Sequence, residues 1–185
     1  MAARGGRHAA AAGGAVRRSD AREAVLGARR RPEPDDRRRH DGVEVAAGIG
    51  WVEGVTYEWS REQTLETVEL LLDLGVPVDA QNLDGQTALM GAAHKGRNDV
   101  VELLVARGAD LALRDIGSRD TIHVLAGVTW QAIDYADGLV RVGVQSAIPH
   151  PQTSALLRRL MTERGLPVPP AGRTLDSICV VEICK

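Results

Sequence analysis

Apolar residues recur along the middle of the chain in a pattern that repeats after 33 residues. The stretches 67–82 (TVELLLDLGVPVDAQN) and 100–115 (VVELLVARGADLALRD) carry Val, Glu, Leu, Leu and Gly at matching positions. A third copy of the pattern ends at 156–165 (LLRRLMTERG). A fixed period of this length is typical of repeat proteins, in which each unit buries its apolar face only against its neighbours. The pattern therefore predicts a stacked array of three units.

The central unit, 83–115, predicts two short antiparallel helices separated by a glycine. Thr87 is expected to cap the first helix, because its hydroxyl can accept a hydrogen bond from an early backbone N–H. Gly96 follows the first helix, and Gly108 follows the second, where a left-handed residue usually ends a helix. The second helix carries a broad apolar stripe made of Val100, Val101, Leu103 and Leu104. Both helices are shorter than the ~12–15 residues that a solitary helix needs, so packing must hold them.

This combination of residues resembles the ankyrin repeat. The resemblance is carried by Asp84-Gly85, Thr87-Ala88-Leu89, Ala92-Ala93, Gly96, Val100-Val101, Leu103-Leu104 and Gly108-Ala109-Asp110. Against the family pattern G-x-T-P-L-H-x-A-A-x-x-G, Ala88 replaces the Pro and Met90 replaces the His. The resemblance implies an all-α, ankyrin-type solenoid of stacked helix-loop-helix repeats that binds another protein and is not an enzyme. The chain looks like the C-terminal repeats of a larger bacterial ankyrin-repeat protein.

Long loop insertions are predicted around the central unit. In the first unit, the end of the first helix (AAGIG) places Gly50 where the central unit has Gly96, and in the third unit Ile133 and Ala136 match Leu89 and Ala92. The extra residues number about 13 at 51–63, about 11 around 118–127 and about 13 at 137–150. Long loops carry function more often than the scaffold that supports them, so these insertions are candidate binding elements.

The first 42 residues differ in composition from the rest of the chain. Residues 1–45 contain eleven Arg and no Lys against seven Asp and Glu, a net charge of +4, whereas the whole chain has a net charge of −2. Because this stretch offers no periodic apolar face, burial cannot offset its ordering entropy. We therefore predict a disordered Arg/Ala/Gly-rich arm at 1–42, followed by ankyrin-like repeats at 43–165 (about 43–82, 83–115 and 116–165).

A proline-rich linker and a short β-prone tail are predicted at 166–185. Cys179 and Cys184 lie five residues apart, roughly 16 Å in an extended strand, whereas a disulfide needs Cα atoms closer than about 7 Å. The two thiols can pair with each other only if the segment turns back on itself. We expect the tail to cap the stack, and the alternative is an exposed strand that pairs with another sheet edge.

The candidate partner-binding residues follow from the resemblance, since hairpin tips and the exposed side of each first helix line a concave surface in ankyrin-like stacks. The candidates are Gln81, Leu83, Asp84 and Gln86 at one tip, Arg114 at the next tip, and His94 and Lys95 at the solvent-facing end of the first helix. Leu83 is the strongest candidate, because a Leu at a hairpin tip has no core to enter. In the first insertion, Trp51, Tyr57 and Trp59 could anchor an interface, although packing over their own helices is the favoured interpretation.

No motif in the sequence points to catalysis. The chain has no G-x-S-x-G, no P-loop and no H-E-x-x-H motif. The glycines of VEVAAGIGWVEG do not have the spacing of a dinucleotide site, and His94, His123 and His150 lie too far apart in sequence to indicate a metal site. We expect no cofactor and no small-molecule substrate. Nucleic acid is not the expected partner, because acidic residues dilute the Arg-rich arm, and no run of eighteen apolar residues suggests a membrane span.

The sequence is also compatible with two other functions. The chain could be a structural capping or assembly segment of a larger repeat protein, or an accessory domain of an enzyme. The sequence does not indicate a compartment.

Overall fold

The computed structural model describes residues 42–49, 59–117, 128–140 and 147–174. All of them belong to the unit of the chain that spans Pro32–Lys185. These residues form helices, turns and loops without a β-strand, so the all-α prediction is confirmed. The helices are α1 (Gly42–Ala46), α2 (Arg61–Asp73), α3 (Ala88–His94), α4 (Asn98–Ala106), α5 (Ala132–Ala136) and α6 (Pro151–Glu163).

The six helices pack as three pairs in two layers. The first helices of the pairs, α1, α3 and α5, lie side by side in one layer, and the second helices, α2, α4 and α6, form the other. The side chains between the layers are small or aliphatic, which lets the short first helices approach closely. The core includes Val68, Leu89, Ala92, Val100, Leu104, Ile133 and Leu157, all buried. This is the stack that the 33-residue period predicts.

All three second helices end in the same way. A backbone N–H beyond the helix donates to a carbonyl five residues earlier: Val76 to Leu71 at 3.1 Å, Ala109 to Leu104 at 2.9 Å and Leu166 to Met161 at 2.9 Å. The glycine inside each of these turns, Gly75, Gly108 or Gly165, has a positive φ between 68° and 96°. The shared ending confirms the register of the third copy, in which Met161 corresponds to Leu104.

The first helix of the central unit begins where the sequence predicts. The Thr87 hydroxyl accepts a hydrogen bond from the Met90 N–H at 3.3 Å, which confirms Thr87 as the N-cap. The Met90 sulfur in turn accepts from the Thr87 N–H at 3.5 Å. Met90 therefore makes a local contact at the position where the family pattern has a histidine, and it is almost completely buried.

Two boundaries in the first unit differ from the prediction. The glycine that ends α1 is Gly48, with φ of 119°, so the assignment of Gly50 to this role is wrong. The Ile49 N–H donates to the Glu44 carbonyl at 2.9 Å, which closes the helix two residues earlier than expected. At the other end of the insertion, Ser60 caps α2 through its hydroxyl, so Arg61–Gln63 are helical rather than part of the loop.

Candidate functional site

The hairpin between α2 and α3 turns at residues 82–86, which we call tip 1. Its backbone closes through a hydrogen bond from the Asn82 N–H to the Gln86 carbonyl at 3.1 Å. The Asn82 side-chain oxygen accepts from the N–H groups of Asp84 and Gln86 at 3.0 and 2.9 Å. One buried amide therefore holds the turn from inside, and the side chains at its apex point away from the core.

The next hairpin repeats this arrangement at Asp115, Ile116, Gly117 and Trp130, which we call tip 2. The Asp115 N–H donates to the Trp130 carbonyl at 3.0 Å. The Asp115 carboxylate accepts from the N–H groups of Gly117 and Trp130 at 3.0 and 2.8 Å. Gln86 lies four positions after Asn82, whereas Trp130 lies fifteen positions after Asp115. The 11-residue insertion expected around 118–127 therefore falls in the sequence between Gly117 and Trp130 of tip 2, and residues 118–127 themselves lie outside the described part of the chain.

Each tip exposes one large apolar side chain at the same position. Leu83 is 47% exposed and Ile116 is 49% exposed, and the two residues are 33 positions apart. The Ile116 N–H donates to the Asp84 carbonyl at 3.1 Å, so the two tips are adjacent. Ile116 is not among the predicted binding residues, although the 33-residue period assigns it to the position of Leu83.

Exposed polar side chains brace the two tips on the outside. Gln81 donates from Nε2 to the carbonyls of Gly85 at 2.8 Å and Arg114 at 3.1 Å. Arg114 donates from Nη1 to the Thr129 carbonyl at 2.8 Å, and so makes at tip 2 the contact that Gln81 makes at tip 1. Both side chains remain exposed and Asp84 is half-buried. The structure thus brings Gln81, Leu83, Asp84 and Arg114 together on one surface.

A buried polar network lies beneath the two tips. The Tyr135 hydroxyl, on α5, donates to Asp115 Oδ2 at 2.6 Å and accepts from Gln86 Nε2 at 3.3 Å. Gln86 Oε1 in turn accepts from Asn82 Nδ2 at 3.0 Å. Burial raises the pKa of Asp115, although the hydrogen bonds from Tyr135 and from the two backbone N–H groups partly oppose it. Burial and the nearby charge of Asp115 raise the pKa of Tyr135 well above its usual value.

Comparison with known proteins identifies the repeats. Residues 59–115 match the family model described as ankyrin repeats (3 copies). This segment consists of ankyrin repeats. Serine/threonine-protein kinase 12 of Arabidopsis thaliana is 30% identical over 98 residues, which cover 51% of this chain and 20% of the kinase. An ankyrin repeat protein of Acanthamoeba polyphaga mimivirus is 29% identical over 91 residues, which cover 44% of this chain and 56% of that protein. The matched segments thus span about a fifth of the length of the kinase and just over half of the length of the mimivirus protein.

The family indicates a general role. Ankyrin repeats generally mediate protein–protein interactions, and the family is generally non-catalytic. In the described ranges of the chain, no helix is both long and apolar enough to cross a bilayer. The same ranges hold no group of three or more His, Cys, Asp or Glu side chains that could ligate a metal ion.

Two of the candidate binding residues are buried inside the ankyrin repeats. Gln86 is 8% exposed, because its side chain lies in the network beneath the tips. His94 is 4% exposed, with its ring packed edge-on against Tyr135 at a centroid distance of 6.2 Å. Its carbonyl lies 2.9 Å from Nε2 of His150, which precedes α6. The expectation that Gln86 and His94 are exposed to a partner is therefore wrong: Tyr135 of α5 packs against both of them.

The remaining candidates lie away from the tips or outside the described residues. Lys95 follows α3 and is half-buried, with its side chain packed close to Gly48 of the first repeat. Trp59 is half-buried beside α2, and its carbonyl accepts from Arg97 Nη2 at 3.3 Å. Trp51 and Tyr57 lie outside the described residues, so the aromatic cluster stays a prediction.

Proposed function

We propose that this chain is a non-catalytic protein-binding module whose partner contacts the two hairpin tips. The observation that carries the proposal is the matched pair Leu83 and Ile116, each about half exposed at the same position of adjacent repeats. Large apolar side chains in a fixed position make good interface anchors, because little freedom is lost when they are buried. Gln81, Asp84 and Arg114 would form the polar rim of this surface.

Further contacts in the proposal come from the first helices and the insertions. Lys95, which lies away from the tips at the end of α3, remains a candidate contact, as do Trp51, Tyr57 and Trp59 on the first insertion. The insertion expected around 118–127 follows Gly117 of tip 2 in the sequence, and it is a further candidate contact. In this proposal residues 1–42 are an arm, 43–165 the binding repeats and 166–185 a linker and tail.

The test is a paired substitution at the tips, Leu83→Arg with Ile116→Arg. Loss of two interface anchors should lower the amount of a specifically captured partner about tenfold or more. Tagged chains would be incubated with native lysate, and bound proteins quantified by mass spectrometry against an untagged sample.

The matched control is Leu74→Arg, which introduces the same charge at a Leu that is 49% exposed and directly follows α2. This variant should retain the partner, and all variants should melt within a few degrees of the parent. If the tip variant captured the same proteins in the same amounts as the parent, partner binding through the tips would be refuted.

A second function has one supporting observation, the match to part of a protein kinase. In that alternative the chain is an accessory domain of an enzyme. A third candidate function, for which the kinase match is no support, is a structural capping or assembly segment of a larger repeat protein. The transcript upstream of codon 43 tests the accessory function, because it should then encode a catalytic domain in a frame continuous with Val43. A transcript that encodes no catalytic domain in this frame, either upstream or downstream of the repeats, would exclude it for this gene.

A further inference from the structure

We infer that Tyr135 is a positioning residue that couples the two tips, so that tip 1 and tip 2 are held or released together. Asn82 organises tip 1 and Asp115 organises tip 2, each by accepting two backbone N–H groups of its own turn. Tyr135 belongs to neither tip. It lies on α5, and its hydroxyl joins the two clusters from below.

The bridge is continuous and buried. It runs from the Asn82 amide through the Gln86 amide and the Tyr135 hydroxyl to the Asp115 carboxylate, with distances of 3.0, 3.3 and 2.6 Å. Tyr135 has no exposed surface, and the other three residues are at most 8% exposed. The loss of a hydrogen bond in such surroundings costs more free energy than at the surface, because water cannot replace the missing partner.

The other links between the tips are weaker restraints. The bond from Gln81 Nε2 to the Arg114 carbonyl joins two exposed residues, and the bond from the Ile116 N–H to the Asp84 carbonyl joins an exposed residue to a half-buried one. Water competes for hydrogen bonds at exposed residues, so these two links restrain the tips less than a fully buried bond does. The buried bridge therefore supplies most of the coupling, and it fixes the separation between Leu83 and Ile116.

The relevance of this coupling to a partner rests on the proposed function, whereas the coupling itself is a property of the free protein. A partner that contacts both Leu83 and Ile116 would meet two anchors already set at the correct spacing, which lowers the entropic cost of binding. Amide exchange on the free protein can test the coupling even if the tips bind nothing.

The experiment is hydrogen–deuterium exchange of the full chain by NMR, with Tyr135→Phe. This change removes the hydroxyl and keeps the ring, so protection at both tips should fall about tenfold or more. The reporters are the N–H groups of Asp84 and Gln86 at tip 1, and of Gly117 and Trp130 at tip 2. Amides of α4 report global unfolding, and their protection should fall less than that of the tips.

A control and a reciprocal variant separate coupling from general destabilisation. Thr67→Val also removes a buried hydroxyl, one that bonds to the Gln63 carbonyl within α2, and should leave the tips unchanged. Gln86→Met breaks the bridge from the tip 1 side and should lower protection of Gly117 and Trp130 at tip 2, since coupling is reciprocal.

The inference is overturned by either of two results. One is loss of protection at tip 2 alone in Tyr135→Phe, with Asp84 and Gln86 unchanged. The other is an equal loss at the tips and in α4, which would make Tyr135 a general stabiliser. If Tyr135→Phe does not fold, Gln86→Met decides: unchanged protection at tip 2 refutes the coupling.

Discussion

At the scale of single residues, different side chains stabilise the same kind of turn at the two tips. Asn82 and Asp115 each accept two backbone N–H groups inside a turn, but Asn82 is neutral and Asp115 carries a charge when ionised. The neutral amide can also donate, and it does so to Gln86. The carboxylate can only accept, so it depends on the Tyr135 hydroxyl. The cost of burying a charge is therefore confined to tip 2.

This difference predicts a pH effect for Asp115→Asn. Burial raises the folded-state pKa of Asp115 above the ordinary value of 3.8, so the folded protein holds this proton more tightly than the unfolded chain does. Stability from this group is therefore present at low pH and is lost as the pH rises through the folded-state pKa. Relative to Asp115→Asn, the parent should lose free energy of unfolding as the pH rises from 3.8 through the raised folded-state pKa.

Urea unfolding at several pH values checks this, with Asp110→Asn on the exposed surface as the control. A parent that gains stability relative to Asp115→Asn across this range would contradict the predicted sign.

At the scale of helices, packing rather than intrinsic propensity holds the elements. The helix α4 has nine residues, below the ~12–15 needed for marginal stability alone. Its Arg97 N-cap makes no side-chain capping bond. What stabilises α4 is contact with α2, α3 and α6 on its buried side, together with Arg164 of the loop after α6, which donates to the Val105 and Ala109 carbonyls at 2.9 and 2.8 Å.

Leu104→Ala should therefore cost about 2–5 kcal/mol, because it leaves a cavity at a side chain with no exposed surface. Against a total stability of about 5–15 kcal/mol this loss could unfold much of the array. The neighbouring Leu103→Ala is the control, since Leu103 is only partly buried and should cost less. Denaturant unfolding measures both, and equal losses would mean that the assigned core is wrong.

At the scale of the whole stack, the chain folds back onto its third repeat. Residues 166–174 lie against α5 and α6, where Arg158 donates to the carbonyls of Pro169 and Pro170 at 3.2 and 2.8 Å. Arg173 reaches Asp134 and Asp137, both at 2.7 Å, and Arg158 also pairs with Asp137 at 2.8 Å. All four charged side chains are less than a fifth exposed. This ionic cluster ties the segment to the repeat beneath it.

Removing one cation from this ionic cluster should destabilise the protein, because the buried carboxylates then lose part of their charge compensation. Arg173→Gln leaves Asp134 and Asp137 short of a cation in a largely buried place, and should destabilise the protein by roughly 1–3 kcal/mol. Arg159→Gln is the control, because its pair with Glu163 is more than half exposed and contributes at most about 0.5 kcal/mol. Thermal or urea unfolding at neutral pH measures both variants.

The same cluster has a defined pH dependence. Burial alone would raise the pKa of Asp137, but hydrogen bonds from Arg158, Ser154 and Arg173 outweigh it and lower the pKa below 3.8. The stabilisation is therefore present above pH 3.8 and is lost as the pH falls through the folded-state pKa. The destabilisation by Arg173→Gln should shrink in acid, and a constant difference down to pH 2 would contradict this origin.

Features that depend on local sequence or on the repeat were predictable. The 33-residue period implied the stack and the equivalence of Leu71 with Leu104. Thr87 and Gly108 marked helix ends, because capping involves only residues within a few positions. The exposure of Leu83 followed from its place at a hairpin tip, where a Leu side chain has no apolar core to enter. In each case the decisive contact is either within one turn or repeated in the next unit.

Only the tertiary structure decided which polar side chains are buried. Gln86 and His94 have polar side chains, and nothing in their local sequence distinguishes them from surface residues. They are covered by Tyr135, which lies 49 positions beyond Gln86 and past an insertion that shifts the register. A sequence determines its helices through short-range pattern, whereas the partner of a buried polar group depends on which distant segment the chain brings against it.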